Sequence, residues 1–140
     1  MVPLYNDPVR VARINDEIPQ YRESKRANIA CKKAIENLLA ERFDGMRLHG
    51  NCAKELCDEY GADRVGWVLA STVQHFSWDG RFRHHNKLWA DEFLIPTDPD
   101  DRTTDYCVNY HPEIVNGLID QYREYVQTLD EENEHDIELC

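Results

Sequence analysis

Ala27-Asn28-Ile29-Ala30-Cys31-Lys32-Lys33-Ala34-Ile35-Glu36-Asn37-Leu38-Leu39-Ala40-Glu41-Arg42-Phe43 is the stretch that decides the fold. Ala27, Ala30, Cys31, Ala34, Ile35, Leu38, Leu39 and Phe43 recur at three- and four-residue steps, with Lys32, Lys33, Glu36 and Glu41 between them. That period gathers the apolar side chains on one stripe of a helix and leaves the charges on the other. With Lys25 and Arg26 upstream, the pattern predicts one amphipathic helix from near Ile18 to Arg42, ended by the turn pair Asp44-Gly45.

Working outward, Asp7-Pro8 is a helix-start pair, a side-chain oxygen for the orphan amides followed by a ring suited to the first turn, and predicts a short helix to about Ile14. Asn51 caps a third helix through Tyr60, with Ala53, Leu56, Cys57 and Tyr60 inward and Gly61 as its stop. A fourth, from about Asp63 to His75, carries Val65, Trp67, Val68, Leu69, Val73 and Phe76; this broad apolar face places it at the centre of the core. Ser77 is the expected cap of a fifth from Trp78 to about Glu92, before Pro96 and Pro99. Asp98-Pro99 opens a short helix through Val108, and His111-Pro112 opens the last, whose inward stripe includes Ile114, Val115, Leu118, Ile119 and Tyr122. Met46 to Leu48 is the one place for a strand. The expectation is an all-α, compact, single-domain bundle of about six to seven unequal helices packed round the fourth.

A chain of 140 residues fits one domain. Its formal charge of -11, from 27 acidic and 16 basic residues, disfavours direct strong nucleic-acid binding and favours a basic protein partner. Asp130 to Cys140 holds six acids and no Lys or Arg, so residues 1–129 form the predicted helical domain and 130–140 an acidic, disordered tail. Five scattered cysteines, an odd number with no apolar signal segment before them, read as reduced thiols of a cytoplasmic protein. Every apolar stretch is interrupted by charge short of the roughly 18 residues a spanning helix needs, which excludes an integral membrane protein.

The unusual motif runs from Ser71 to Ala90. It includes Thr72, Gln74, Trp78, Asp79, Arg81, Arg83, Asn86, Lys87 and Trp89. Buried polar groups need partners, so Thr72, Gln74, Asp79, Arg81 and Asn86 are expected to form a network where two helices meet. Two readings stay open. In one, Asp79 caps and pairs with Arg81 to lock the corner; in the other, Trp78 and Trp89 wall a recognition pocket with Arg81 as its fixed guanidinium. From Trp78 to Trp89, Arg81, Arg83 and Lys87 stand against Asp79 alone, a +2 island that can receive a phosphate or an acidic surface. The candidate binding residues are therefore Gln74, Trp78, Asp79, Arg81, Arg83, Asn86, Lys87 and Trp89.

No catalytic residue, cofactor or metal site is assigned. His84 and His85 point about a hundred degrees apart on a helix, and Cys52 and Cys57 also lie on different faces. There is no CxxC, HExxH or GxSxG.

From Tyr21 to Arg123 the chain resembles an uncharacterised family of bacterial mobile elements and phages, domain of unknown function 3849. The matching pieces are Tyr21-Arg22-Glu23-Ser24, Asn28-Ile29-Ala30-Cys31, Phe43-Asp44-Gly45-Met46 with Leu48, Tyr60-Gly61 and Arg64-Val65. The most specific are Val68-Leu69-Ala70, Thr72-Val73-Gln74, Trp78-Asp79-Gly80-Arg81-Phe82, Asn86-Lys87, Trp89-Ala90 and His111-Pro112. The resemblance transfers no catalytic residue and implies a setting, accessory genes on mobile DNA that act on host defence or element maintenance. The expected function is that of a non-enzymatic interaction protein inhibiting a host nucleic-acid-targeting defence complex, of anti-CRISPR or anti-restriction type, by binding a nuclease or effector. The alternative is a small-ligand or nucleotide-binding domain built on Trp78, Arg81, Asn86 and Trp89. Because Asp130 to Cys140 offers only Ile137 and Leu139 as apolar anchors, truncation after Leu129 is expected to leave the melting temperature within a few degrees; loss of cooperative unfolding would show that the segment docks.

Overall fold

Ten consecutive residues of one helix, Arg64 to Val73, are buried, and the other elements are arranged around them. The computed structural model describes the backbone of residues 2–96 and 103–139, and the side chains of these apart from 103–104 and 132–139. The helices are α1 (Val9–Ile14), α2 (Ile18–Arg42), α3 (Cys52–Tyr60), α4 (Ala62–His75), α5 (His84–Asp91) and α6 (Pro112–Leu139), with a 3-10 turn at Thr103–Tyr106. No strand occurs among the described residues; Phe43 and Leu48 form an isolated antiparallel bridge at the Met46 loop. The fold is all-α.

The stripe of α2 buries Cys31, Ile35 and Leu39 against α4, and α6 adds Val115, Leu118 and Ile119. Asn51 caps α3 as its side-chain oxygen accepts the Lys54 N–H at 3.2 Å, and Gly61 ends that helix at φ 89°, a left-handed value glycine adopts without strain. His111 opens α6, its carbonyl accepting from Ile114 and Val115 and its ring Nδ1 from the Glu113 N–H at 3.2 Å.

Two helix starts differ from the sequence reading. Pro8 occupies the cap position of α1 and no side chain caps it, so Asp7 does not serve the role expected. Helix α5 begins at His84 and not at Trp78, and Ser77 does not cap it. The Asp79 carboxylate takes the Arg81 N–H at 2.9 Å, closing a local turn that competes with helix geometry. The expected start at Asp98-Pro99 lies outside the described residues, as do the side chains of most of the acidic segment after Asp130, whose backbone continues α6.

The N-terminal segment crosses α2 and α4 and is fixed by a buried cation. Arg64 on α4 donates to Asn28 Oδ1 at 2.8 Å, Ser24 Oγ at 3.1 Å and the carbonyls of Val2 and Pro3 at 2.7 and 3.2 Å. Burial pulls its guanidinium below its ordinary pKa. At the same end of α4, Gly66 leaves room for Tyr122, whose hydroxyl donates to the Ala62 carbonyl at 2.9 Å; a Cβ on Gly66 would lie 2.2 Å from that oxygen. Gly66→Ala is therefore expected to cost about 1–3 kcal/mol by overpacking, and to cost far less on a Tyr122→Ala background. Denaturant melts of the double-mutant cycle check this, and strictly additive losses would refute the contact.

Candidate functional site

The motif residues fall into separate arrangements. Thr72 belongs to the core: its hydroxyl donates to the Val68 carbonyl at 2.8 Å and accepts the Val108 N–H at 2.9 Å. Gln74 reaches across to the end of α5, its amide nitrogen donating to the carbonyls of Ala90 at 2.7 Å and Phe93 at 3.0 Å. The Ala90 carbonyl also accepts the Phe93 N–H at 3.0 Å, so Gln74 adds a tie from α4 to the C-terminal end of α5. The single network expected around Thr72 and Asp79 is thus divided.

Between α4 and α5 the chain turns a corner. Asp79, itself buried, binds the Arg81 guanidinium in bidentate fashion, Nε to Oδ1 at 3.1 Å and Nη2 to Oδ2 at 2.8 Å. The Arg81 side chain stays 55% exposed while paired, so its outer face still meets solvent. The same hydrogen bonds, with the Arg81 N–H, hold the Asp79 carboxyl below the usual carboxylate range, at about 2.

The corner is clamped from α6 by a residue the motif does not contain. Asn116, buried, accepts the Arg83 N–H at 3.2 Å and the Asn86 amide at 3.0 Å, and donates to the Arg81 carbonyl at 2.9 Å. Arg123 donates to the buried Asn86 at 3.2 Å. Asp120 accepts the Arg83 guanidinium at 2.5 Å and lies 3.3 Å from the His85 ring. Asn116, Asp120 and Arg123 share one face of α6 by their spacing, a polar face that flanks the apolar stripe, and this spacing is the signal the sequence offers.

The two tryptophans separate. Trp78 is 75% exposed and meets Phe76 edge-on at 6.2 Å, whereas half-buried Trp89 packs edge-on against Phe93 at 5.2 Å and Tyr122 at 5.6 Å. Lys87 is half-buried, and its charge helps lower the Asp79 pKa. A groove of about 470 Å³ borders the corner, lined by Arg83 with Phe43, Met46, Arg47, Leu48 and Ile114 among others.

The thiols of Cys31 and Cys57 are pushed up to about 12 by burial, and that of Cys107 to about 11. Such thiols stay protonated at neutral pH and are weak nucleophiles. Among the described residues no group of three His, Cys, Asp or Glu side chains is placed to hold a metal, and no helix is long and apolar enough to cross a membrane.

A depressed carboxyl pKa contributes stability that is full above the unfolded value and is lost as pH falls through the folded one. For Asp79 that window runs from about pH 4 down to about 2. Asp79→Asn is expected to flatten the acid limb of stability against pH there, read by chemical denaturation at each pH. Asp44, held low by His49 and the N–H groups of Met46 and Arg47, acts in the same direction. An unchanged slope in Asp79→Asn would remove the pair from the account of the corner.

No curated protein and no solved structure matches the chain significantly. The profile of one family does match, over residues 4–127, nearly the whole described domain. The chain belongs to the family described as protein of unknown function (DUF3849).

Proposed function

We propose that the chain is a non-catalytic interaction protein of a mobile genetic element or phage, and that it binds and blocks a host complex acting on nucleic acid. One observation carries the interaction reading: Trp78, at 75% exposure, stands on a corner immobilised by the Asp79–Arg81 pair and the Asn116 clamp. A large, rigid aromatic beside arginines is the composition of an interface anchor, since little side-chain freedom is lost on binding. The excess of acidic side chains suits a partner whose working surface is basic, as a nucleic-acid channel is. The mobile-element setting comes from the family resemblance alone. The reading as a ligand pocket walled by Trp78 and Trp89 has less support, because the two rings join different aromatic clusters and Asn86 is fully buried and engaged by Asn116 and Arg123.

Capture of the tagged protein from its host, followed by identification of stoichiometric partners and an assay of their nuclease activity, tests the proposal. A captured effector whose cleavage is blocked, with binding weakened by about 2 kcal/mol or more in Trp78→Ala and melting unchanged, is the expected result. Capture of a retained small molecule in place of a protein, or inhibition indifferent to both Trp78→Ala and the Arg83→Ala, Lys87→Ala double change, would overturn it.

A further inference from the structure

We infer that the groove between the N-terminal segment and the junction of α4, α5 and α6 docks an extended, basic segment of a partner protein that inserts an apolar side chain. The groove encloses about 940 Å³. That is the upper end of the roughly 300–1,000 Å³ of ligand-sized sites, and more than a lone ion needs. Its apolar lining comes from Leu4, Trp67, Phe93 and Leu94, and Leu94 is 88% exposed. Asp7, Asp63 and Glu92 stand at its rim, and among the described residues no Lys, Arg or His lines it.

Its walls are preformed. Arg64 ties down the carbonyls of Val2 and Pro3, and Ser24 accepts the Tyr5 N–H at 2.9 Å, which fixes the N-terminal side. On the other side the Trp67 indole donates to the Tyr106 hydroxyl at 3.3 Å, and Phe93 packs on Trp89 while Gln74 holds its carbonyl. A ligand entering a groove already shaped loses less binding energy to ordering. Three carboxylates round an apolar floor repel phosphate, so nucleic acid and anionic lipid are poor occupants. A peptide that places Lys or Arg beside Leu, Ile or Phe satisfies both parts: its cations meet the rim and its apolar side chain covers Leu94.

This face is separate from the Trp78 corner, and the inference shares with the reading above only the premise of a protein ligand. The test uses the full chain and an array of hexapeptides combining Lys or Arg with Leu, Ile or Phe, beside acidic and uncharged isomers, followed by anisotropy with the best binder. Only basic-apolar peptides should be retained, more weakly at high salt. Binding should fall roughly tenfold or more in the Asp63→Asn, Glu92→Gln double change and in Leu94→Ser, whose exposed site leaves the fold intact, and should be unaffected by Trp78→Ala. Retention of no basic-apolar peptide, equal binding by the uncharged isomers, equal affinity in the charge-neutralised and Leu94 variants, or equal occupancy by tetramethylammonium alone would overturn the inference. Peptide binding absent while Trp78→Ala still abolishes inhibition overturns the groove alone, and peptide binding present while Trp78→Ala leaves inhibition intact counts against the corner alone.

Discussion

A guanidinium buried without a carboxylate among its described partners sets the terms for this fold. Arg64 is 3% exposed and is solvated by four neutral oxygens, from Asn28, Ser24, Val2 and Pro3. Removing it would leave two carbonyls and two side chains without their donor inside the protein, whereas arginine remains charged even when burial lowers its pKa. Ser24 and Asn28 lie one helical turn apart on α2, so the planar fork accepts one register of α2 against α4. The same fork holds the N-terminal segment, and thereby builds one wall of the acidic groove.

A second polar hub works at the other end of α4. After His75 the chain has no regular structure until His84, and the segment between is organised by side chains: Asp79 on Arg81, and Asn116 on Arg81, Arg83 and Asn86. Between the hubs α4 buries Val65, Val68 and Leu69 fully and Gly66 admits Tyr122, while the buried hydroxyls of Ser71 and Thr72 donate back to the Trp67 and Val68 carbonyls of the same helix. Every buried side-chain nitrogen and oxygen among the described residues has a partner. Hydrophobic burial supplies the cohesion, which is non-directional; the two hubs supply direction.

The long elements were legible because their signal is local. Helix α2 occupies Ile18–Arg42, the interval its stripe predicts, and Asn51 and Gly61 bound α3 as their chemistry requires. The start of α5 was not legible, since Trp78 and Phe82 continue an apolar rhythm while the carboxylate of Asp79 withdraws the chain into a turn. The motif drew notice for its aromatic and polar density, yet Asn116, Asp120 and Arg123, which decide what its polar groups do, lie roughly 30 or more residues away in sequence. A one-dimensional pattern shows that a polar residue needs a partner and does not show which one. Arg64 illustrates the same point, as its place among the family-like residues was visible and its burial was not.

Tertiary pairing also changes the electrostatic reading of the corner. Counted along the sequence, Arg81, Arg83 and Lys87 make a basic island, but Asp79 and Asp120 take up the two guanidinium groups and His85 shares Asp120. An acidic ligand there would compete with internal carboxylates already in place, and exposed ion pairs are worth little to rearrange only where solvent can replace both partners. For Arg83 and Asp120 that condition is met, with both side chains more than a third exposed; for Asp79 it is not. Arg81 therefore orients the corner, Arg83 can exchange Asp120 for solvent or another acceptor, and the ring of Trp78 is exposed beside them. The opposite sign prevails in the groove beside Leu94, whose charged lining among the described residues is Asp7, Asp63 and Glu92.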